Sequence, residues 1–139
     1  MDVLYTTVAS FSGGGTGQAT TEDGILKLEI RAPKEMGGPG GEYTNPEQLF
    51  AIGYASCFGS AINYAAMMKR KSIDSLVTAT VHTGKKPEKG FQFKVDLDIR
   101  ISGLEQKDAE ELVEEAKQIC PYSGAVKDNI EVKVKVITA

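Results

Sequence analysis

A chain of 139 residues, 41% hydrophobic and 25% charged, has the profile of one soluble domain large enough to bury a core. Its formal net charge of −3 offers no electrostatic footprint for a polyanion, which sets nucleic-acid binding aside. Two cysteines and one histidine cannot make a four-ligand zinc site, and the first ten residues lack the basic and apolar blocks of a secretory leader, so a metal-free cytoplasmic protein is expected.

Residues 2–10 (DVLYTTVAS) are rich in Val, Thr and Tyr and are expected to form a first strand. Gly13, Gly14, Gly15 and Gly17 follow. Glycines this dense suit a hairpin turn; a phosphate loop would need a Lys-Ser or Lys-Thr pair and a helix directly after, and the sequence has neither. Residues 18–21 and 25–31 read as two further strands joined by Glu22-Asp23-Gly24, with Leu26, Leu28 and Ile30 on one face. Residues 33–44 (PKEMGGPGGEYT) carry no apolar period and read as a loop, or as a lid over a pocket.

Residues 45–71 then form the stretch on which the rest depends. Asn45 is placed to cap a helix, Pro46 suits its first position and Gln48 its third, while Lys69, Arg70 and Lys71 suit its end. From Leu49 to Met68 there is no charge, so the helix is expected to be covered on nearly every side. Gly, Ala, Ser and Asn63 make it too polar for a membrane span. A chain of this size has little sheet with which to cover such a helix, and a second copy in an isologous homodimer is the expected remedy.

Residues 75–83 read as a strand, with Val77, Ala79 and Val81 on one face and Thr78, Thr80 and His82 on the solvent face. Phe91, Phe93, Val95, Leu97, Ile99 and Ile101 alternate with polar residues in a long half-buried antiparallel strand. Residues 104–119 form an amphipathic helix whose acidic residues are a solvated face. Cys120-Pro121-Tyr122-Ser123 breaks it, and Val132, Val134 and Val136 alternate in a last strand. The expected fold is a single α+β domain over residues 1–139, in the order βββ-α-ββ-α-β, with sheet wrapped around the long central helix.

Cys57 shares a helix face with Phe50, Tyr54, Ala61, Tyr64 and Met68. By residue type it is a small core hydrophobe. Cys120, on a turn, is positioned to meet a second sulfur, and a buried thiol with a turn thiol also fits a peroxidatic and resolving pair.

The stretch TNPEQLFAIGYASCF at Thr44 to Phe58, CPYS at Cys120 to Ser123 and the closing DNIEVKVKV resemble the OsmC/Ohr family in its organic hydroperoxide resistance branch, nearly end to end. The resemblance implies an intertwined homodimer of the element order above. It also implies a thiol-dependent peroxidase in which Cys57 attacks an organic hydroperoxide and Cys120 resolves the sulfenic acid to a disulfide. No bound cofactor is implied; dihydrolipoamide or a lipoylated protein is the implied reductant. Glu47 matches the family's site carboxylate, which pairs with an Arg in a Gly-Gly-Arg turn. In this sequence Gly15 stands where that Arg would be.

At about 1.5 Å per residue, Glu47 is roughly 15 Å along the helix from Cys57, so a Glu47 that serves the site would come from a second copy or act through an intermediary. Arg31 and Lys34 are candidates for the absent cation. An alternative reading keeps the fold without turnover, as a module that holds an apolar ligand against Phe50, Tyr54, Phe58 and Tyr64; in a third, both cysteines are packing residues.

Overall fold

In the computed structural model, which describes residues 1–13 and 17–139, the chain divides into two compact units, Met1–Leu49 and Phe50–Ala139. The mixed α and β composition expected from the sequence is found, with two three-stranded sheets, one in each unit.

The first unit holds β1 (Ala9–Ser12), β2 (Gln18–Thr21) and β3 (Lys27–Glu29) as an antiparallel meander. The first strand expected at residues 2–10 is displaced. Only Ala9 and Ser10 of that stretch enter the ladder, because β2 has four residues and pairs with Ala9 through Ser12. The third strand is likewise shorter than residues 25–31: after Glu29 the chain leaves the ladder, and Ile30 bridges Thr44 in parallel. The Glu22-Asp23-Gly24 turn forms as expected, closed by Thr21 Oγ1 and the Ile25 N–H donating to the Asp23 carboxylate at 2.6 and 3.0 Å. The expected loop contains one 3-10 turn, Lys34–Met36.

Helix α1 (Pro46–Met68) starts where the sequence indicates. The Gln48 N–H donates to Asn45 Oδ1 at 2.8 Å, an N-cap bond, and Gln48 turns its own side chain to the Thr44 hydroxyl rather than completing a capping box. Its end falls at Met68, before the three basic residues, with Arg70 at φ 53 and the Lys71 N–H returning to Ala66 O.

In the second unit β4 (Asp74–Lys85) and β5 (Phe91–Ser102) form a twelve-residue antiparallel ladder, and β6 (Val132–Thr138) lies parallel to β5 on its other side. The alternation in β5 holds from Val95 onward, with Val95, Leu97, Ile99 and Ile101 all buried, whereas Phe91 at the strand's start is 57% exposed. They pack with Tyr54, Phe58, Ala61, Ile62, Ala65 and Ala66 of α1 and with Ala109, Leu112, Val113 and Ala116 of α2 (Gln106–Ile119). Each large side chain in this core contributes about 1.5–3 kcal/mol by leaving water. Gln106 fastens α2 to the sheet end, donating to Val136 O at 2.8 Å and accepting from the Thr138 N–H at 3.1 Å.

One expectation needs correction. The chain continues past Cys120 into a further short helix, α3 (Pro121–Val126), because the proline that ends α2 is well suited to the first position of a new helix. Helix α1 is covered on one face alone: Ile52, Ser56, Ser60, Asn63, Tyr64, Met67 and Met68 are exposed along the other.

Candidate active site

Cys57 sits at mid-length in α1 and Cys120 at the joint between α2 and α3. The fold brings them together across 63 residues of sequence: the Cys120 thiol, itself buried, donates to Cys57 Sγ at 3.2 Å. Both are free thiols, and a disulfide would require the sulfurs to close to about 2.05 Å. Burial pushes the Cys57 thiol above its ordinary pKa; the Tyr122 backbone N–H opposes this, and negative charge at Cys120 adds to the rise. The N–H comes from the first turn of α3, an element the sequence did not reveal.

Five aromatic rings from α1, β5 and α3 form a connected cluster. Phe50 lies 6.0 Å from Tyr54, 4.9 Å from Phe93 and 6.2 Å from Tyr122, and Tyr54 lies 5.9 Å from Tyr122 and 6.4 Å from Phe58, centroid to centroid. A hydrogen bond of 3.3 Å joins the Tyr54 and Ser123 hydroxyls, and burial raises the Tyr54 pKa. Of the four apolar-site candidates, Phe50, Tyr54 and Phe58 are therefore joined, whereas Tyr64 is half exposed and outside these ring contacts. Tyr122, Ser123 and Phe93 were not singled out by sequence reasoning, although CPYS contains two of them. A cavity of about 470 Å³ opens beside Tyr54, Phe58 and Ser123, lined by Val126, Ile130, Val132 and Val134 on the apolar side and by Lys117, Gln118 and Lys127 on the polar side.

Glu47 belongs to the first unit, in the opening turn of α1. Its Oε2 is buried and has no hydrogen-bond partner among the described residues. The expected gap at Gly15 lies outside the described residues. Arg31 is engaged within its own unit: it pairs with Glu29 at 2.8 Å, donates to Ile30 O at 3.0 Å and lies 5.2 Å over the Tyr43 ring. A Cβ at position 17 would collide with the Arg31 guanidinium, so Gly17 is the seat of that side chain. Lys34 lies in the 3-10 turn and lines a small cavity with Arg31 and Tyr43. His82 is exposed, as its strand position implies, with Nε2 3.0 Å from Asp96 Oδ2. Among the described residues no group of three or more His, Cys, Asp or Glu is arranged to hold a metal ion, and no helix is long and apolar enough to cross a membrane.

Comparison with known proteins gives a consistent set of relatives. The family model described as OsmC-like protein matches residues 38–135. The organic hydroperoxide resistance protein of Xanthomonas axonopodis pv. citri is 41% identical over 132 residues, which is 94% of this chain and 92% of that one. The crystal structure of an organic hydroperoxide resistance protein from Elizabethkingia anophelis superimposes with a TM-score of 0.96 at 41% identity, covering 100% of both chains. That of the organic hydroperoxide resistance protein OsmC from Legionella pneumophila does so with a TM-score of 0.92 at 48% identity, covering 97% of this chain and 98% of the other.

Proposed function

Because the chain belongs to the OsmC-like family, in its organic hydroperoxide resistance branch, we propose that it is a thiol-dependent peroxidase reducing organic hydroperoxides to alcohols. The observation that carries the reading is the 3.2 Å approach of the two sulfurs. The Cys57 thiolate attacks the terminal peroxide oxygen, the O–O bond breaks, and the alkoxide leaves with a proton as alcohol. Cys57 is then a sulfenic acid. Cys120 attacks its sulfur, the S–O bond breaks, and the hydroxyl leaves with a proton as water, so that a disulfide remains. A dithiol, dihydrolipoamide or a lipoylated protein in the cytoplasm, takes the disulfide back to two thiols and is itself oxidised.

Phe50, Tyr54 and Phe58 would hold the apolar part of the peroxide, with Tyr64 contributing from the exposed face of α1. A thiolate at Cys57 asks for positive charge, since burial favours the thiol. Glu47, with its buried and unpartnered oxygen, supports a site completed by a donor from outside the described chain. The homodimer supplies a source. The exposed stripe of α1 is uncharged, and Ser56 and Ser60 in it let another backbone approach closely, which favours a second copy as its cover.

The test is turnover of cumene hydroperoxide with dihydrolipoamide by the reduced protein. Activity is expected in the parent and absent in Cys57→Ser, and Cys120→Ser is expected to accumulate a dimedone-reactive Cys57. No consumption at full thiol content would overturn the reading. Gly15→Arg is expected to raise turnover by orders of magnitude; an unchanged rate would mean that another cation serves the thiolate. The ring contacts joining Phe50, Tyr54 and Phe58 favour a second reading, an apolar-ligand module without turnover, which requires a co-purified ligand in native mass spectra and thiols inert to peroxide.

A further inference from the structure

A glycine inside a helix costs about 1 kcal/mol relative to alanine, so Gly53 in α1 calls for a reason. A Cβ at this position would stand 2.5 Å from the Tyr122 hydroxyl oxygen, 2.9 Å from Cζ and 3.0 Å from Cε2. The far end of the Tyr122 ring thus rests in a notch on the bare backbone of α1. Phe50 and Tyr54 close on the same ring, and the Tyr54 to Ser123 hydrogen bond ties the next residue to the same helix. Gly53 and Cys57 are four residues apart, so notch and sulfur lie one above the other on one helix face.

Tyr122 is two residues past Cys120, and Pro121 between them has its φ fixed by its ring. Few soft dihedrals remain between the seated phenol and the Cys120 sulfur. We propose that Gly53 and Tyr122 form a latch: the phenol in its notch sets the first turn of α3 against α1, and so fixes the approach of Cys120 Sγ to Cys57. Gly53 is a positioning residue, and so is the Tyr122 side chain. The inference rests on the reading of Cys57 and Cys120 as a reacting pair, but not on hydroperoxide as the oxidant.

The experiment uses diamide, which takes two hydrogens from the two thiols to become a hydrazine and leaves a Cys57–Cys120 disulfide. Closure in Gly53→Ala is expected to be at least tenfold slower than in the parent, and the pH midpoint for iodoacetamide alkylation of Cys57 is expected to rise. Tyr122→Ala, which leaves α1 untouched, is expected to do the same, while Tyr122→Phe keeps a ring in the notch and restores fast closure. The double variant Gly53→Ala/Tyr122→Ala is expected to be no slower than Tyr122→Ala, because no ring remains to displace. Parent-like closure and midpoint in Gly53→Ala, or additive effects in the double variant, would overturn the latch. A parent that closes with diamide yet leaves cumene hydroperoxide unconsumed would overturn the peroxidase reading instead.

Discussion

The proton on Cys57 governs what the site can do, because only the thiolate is a nucleophile. Burial holds that proton on, with negative charge at Cys120 adding to the effect, while the Tyr122 N–H favours its release. The raised pKa means that the folded chain binds the proton more tightly than the unfolded one, whose thiol titrates near about 8.5. The associated stability is fully present below that value and is lost as pH rises through the folded-state pKa. Alkylation of Cys57 in the isolated reduced chain, followed by mass spectrometry across pH, is therefore expected to show a midpoint above the ordinary thiol value. A midpoint near neutrality would mean that positive charge already faces the sulfur. Cys57 and Cys120 are legible in the sequence as its two thiols, one inside a long uncharged helix and one beside a proline, whereas Glu47 enters only through the resemblance of its NPEQ stretch to the family. Tyr122 and Ser123 carry equal weight in the geometry but gave no separate signal, since a tyrosine and a serine after a proline are ordinary turn residues.

At the scale of elements, α1 is defined at its start by a side chain and along its length by burial. Removing the cap bond in Asn45→Ala is expected to cost about 1 kcal/mol in urea denaturation. Phe58 is wholly buried between α1 and the sheet, and Phe58→Ala is expected to cost about 3–5 kcal/mol by the same measurement. An Asn45→Ala effect equal to that of Phe58→Ala would mean that end capping, not packing, holds the helix. Helix α3 escaped the sequence reading for a physical reason: six residues are too few to display an amphipathic period, and Pro121 is as good a stop as a start. Strand lengths in the first unit were misjudged in a different way. Val and Thr favour extended backbone in residues 2–8, but a strand is as long as the partner that pairs with it, and β2 offers four residues.

For the whole molecule, large apolar side chains stand exposed in both units: Leu4 is 98% exposed, Ile25 82%, and Ile52 and Met67 more than 60%. Sedimentation is expected to give a mass twice that of the chain, and Met67→Lys, which places a cation in the uncharged stripe of α1, is expected to shift the equilibrium toward monomer. A parent that sediments as a monomer would remove the proposed source of cover. By itself the sequence determined the element order apart from α3, the capped and uncharged helix, the inward face of β5 from Val95 to Ile101 and the presence of two thiols, because these are written in neighbouring residues through periods of two or 3.6 and through local caps. Only the tertiary structure decided that Cys120 meets Cys57, that β6 runs parallel to β5, that α1 is covered on one face, and that Gly53 receives the Tyr122 ring. These depend on side chains far apart in the chain competing for the same space, and no local pattern records the outcome.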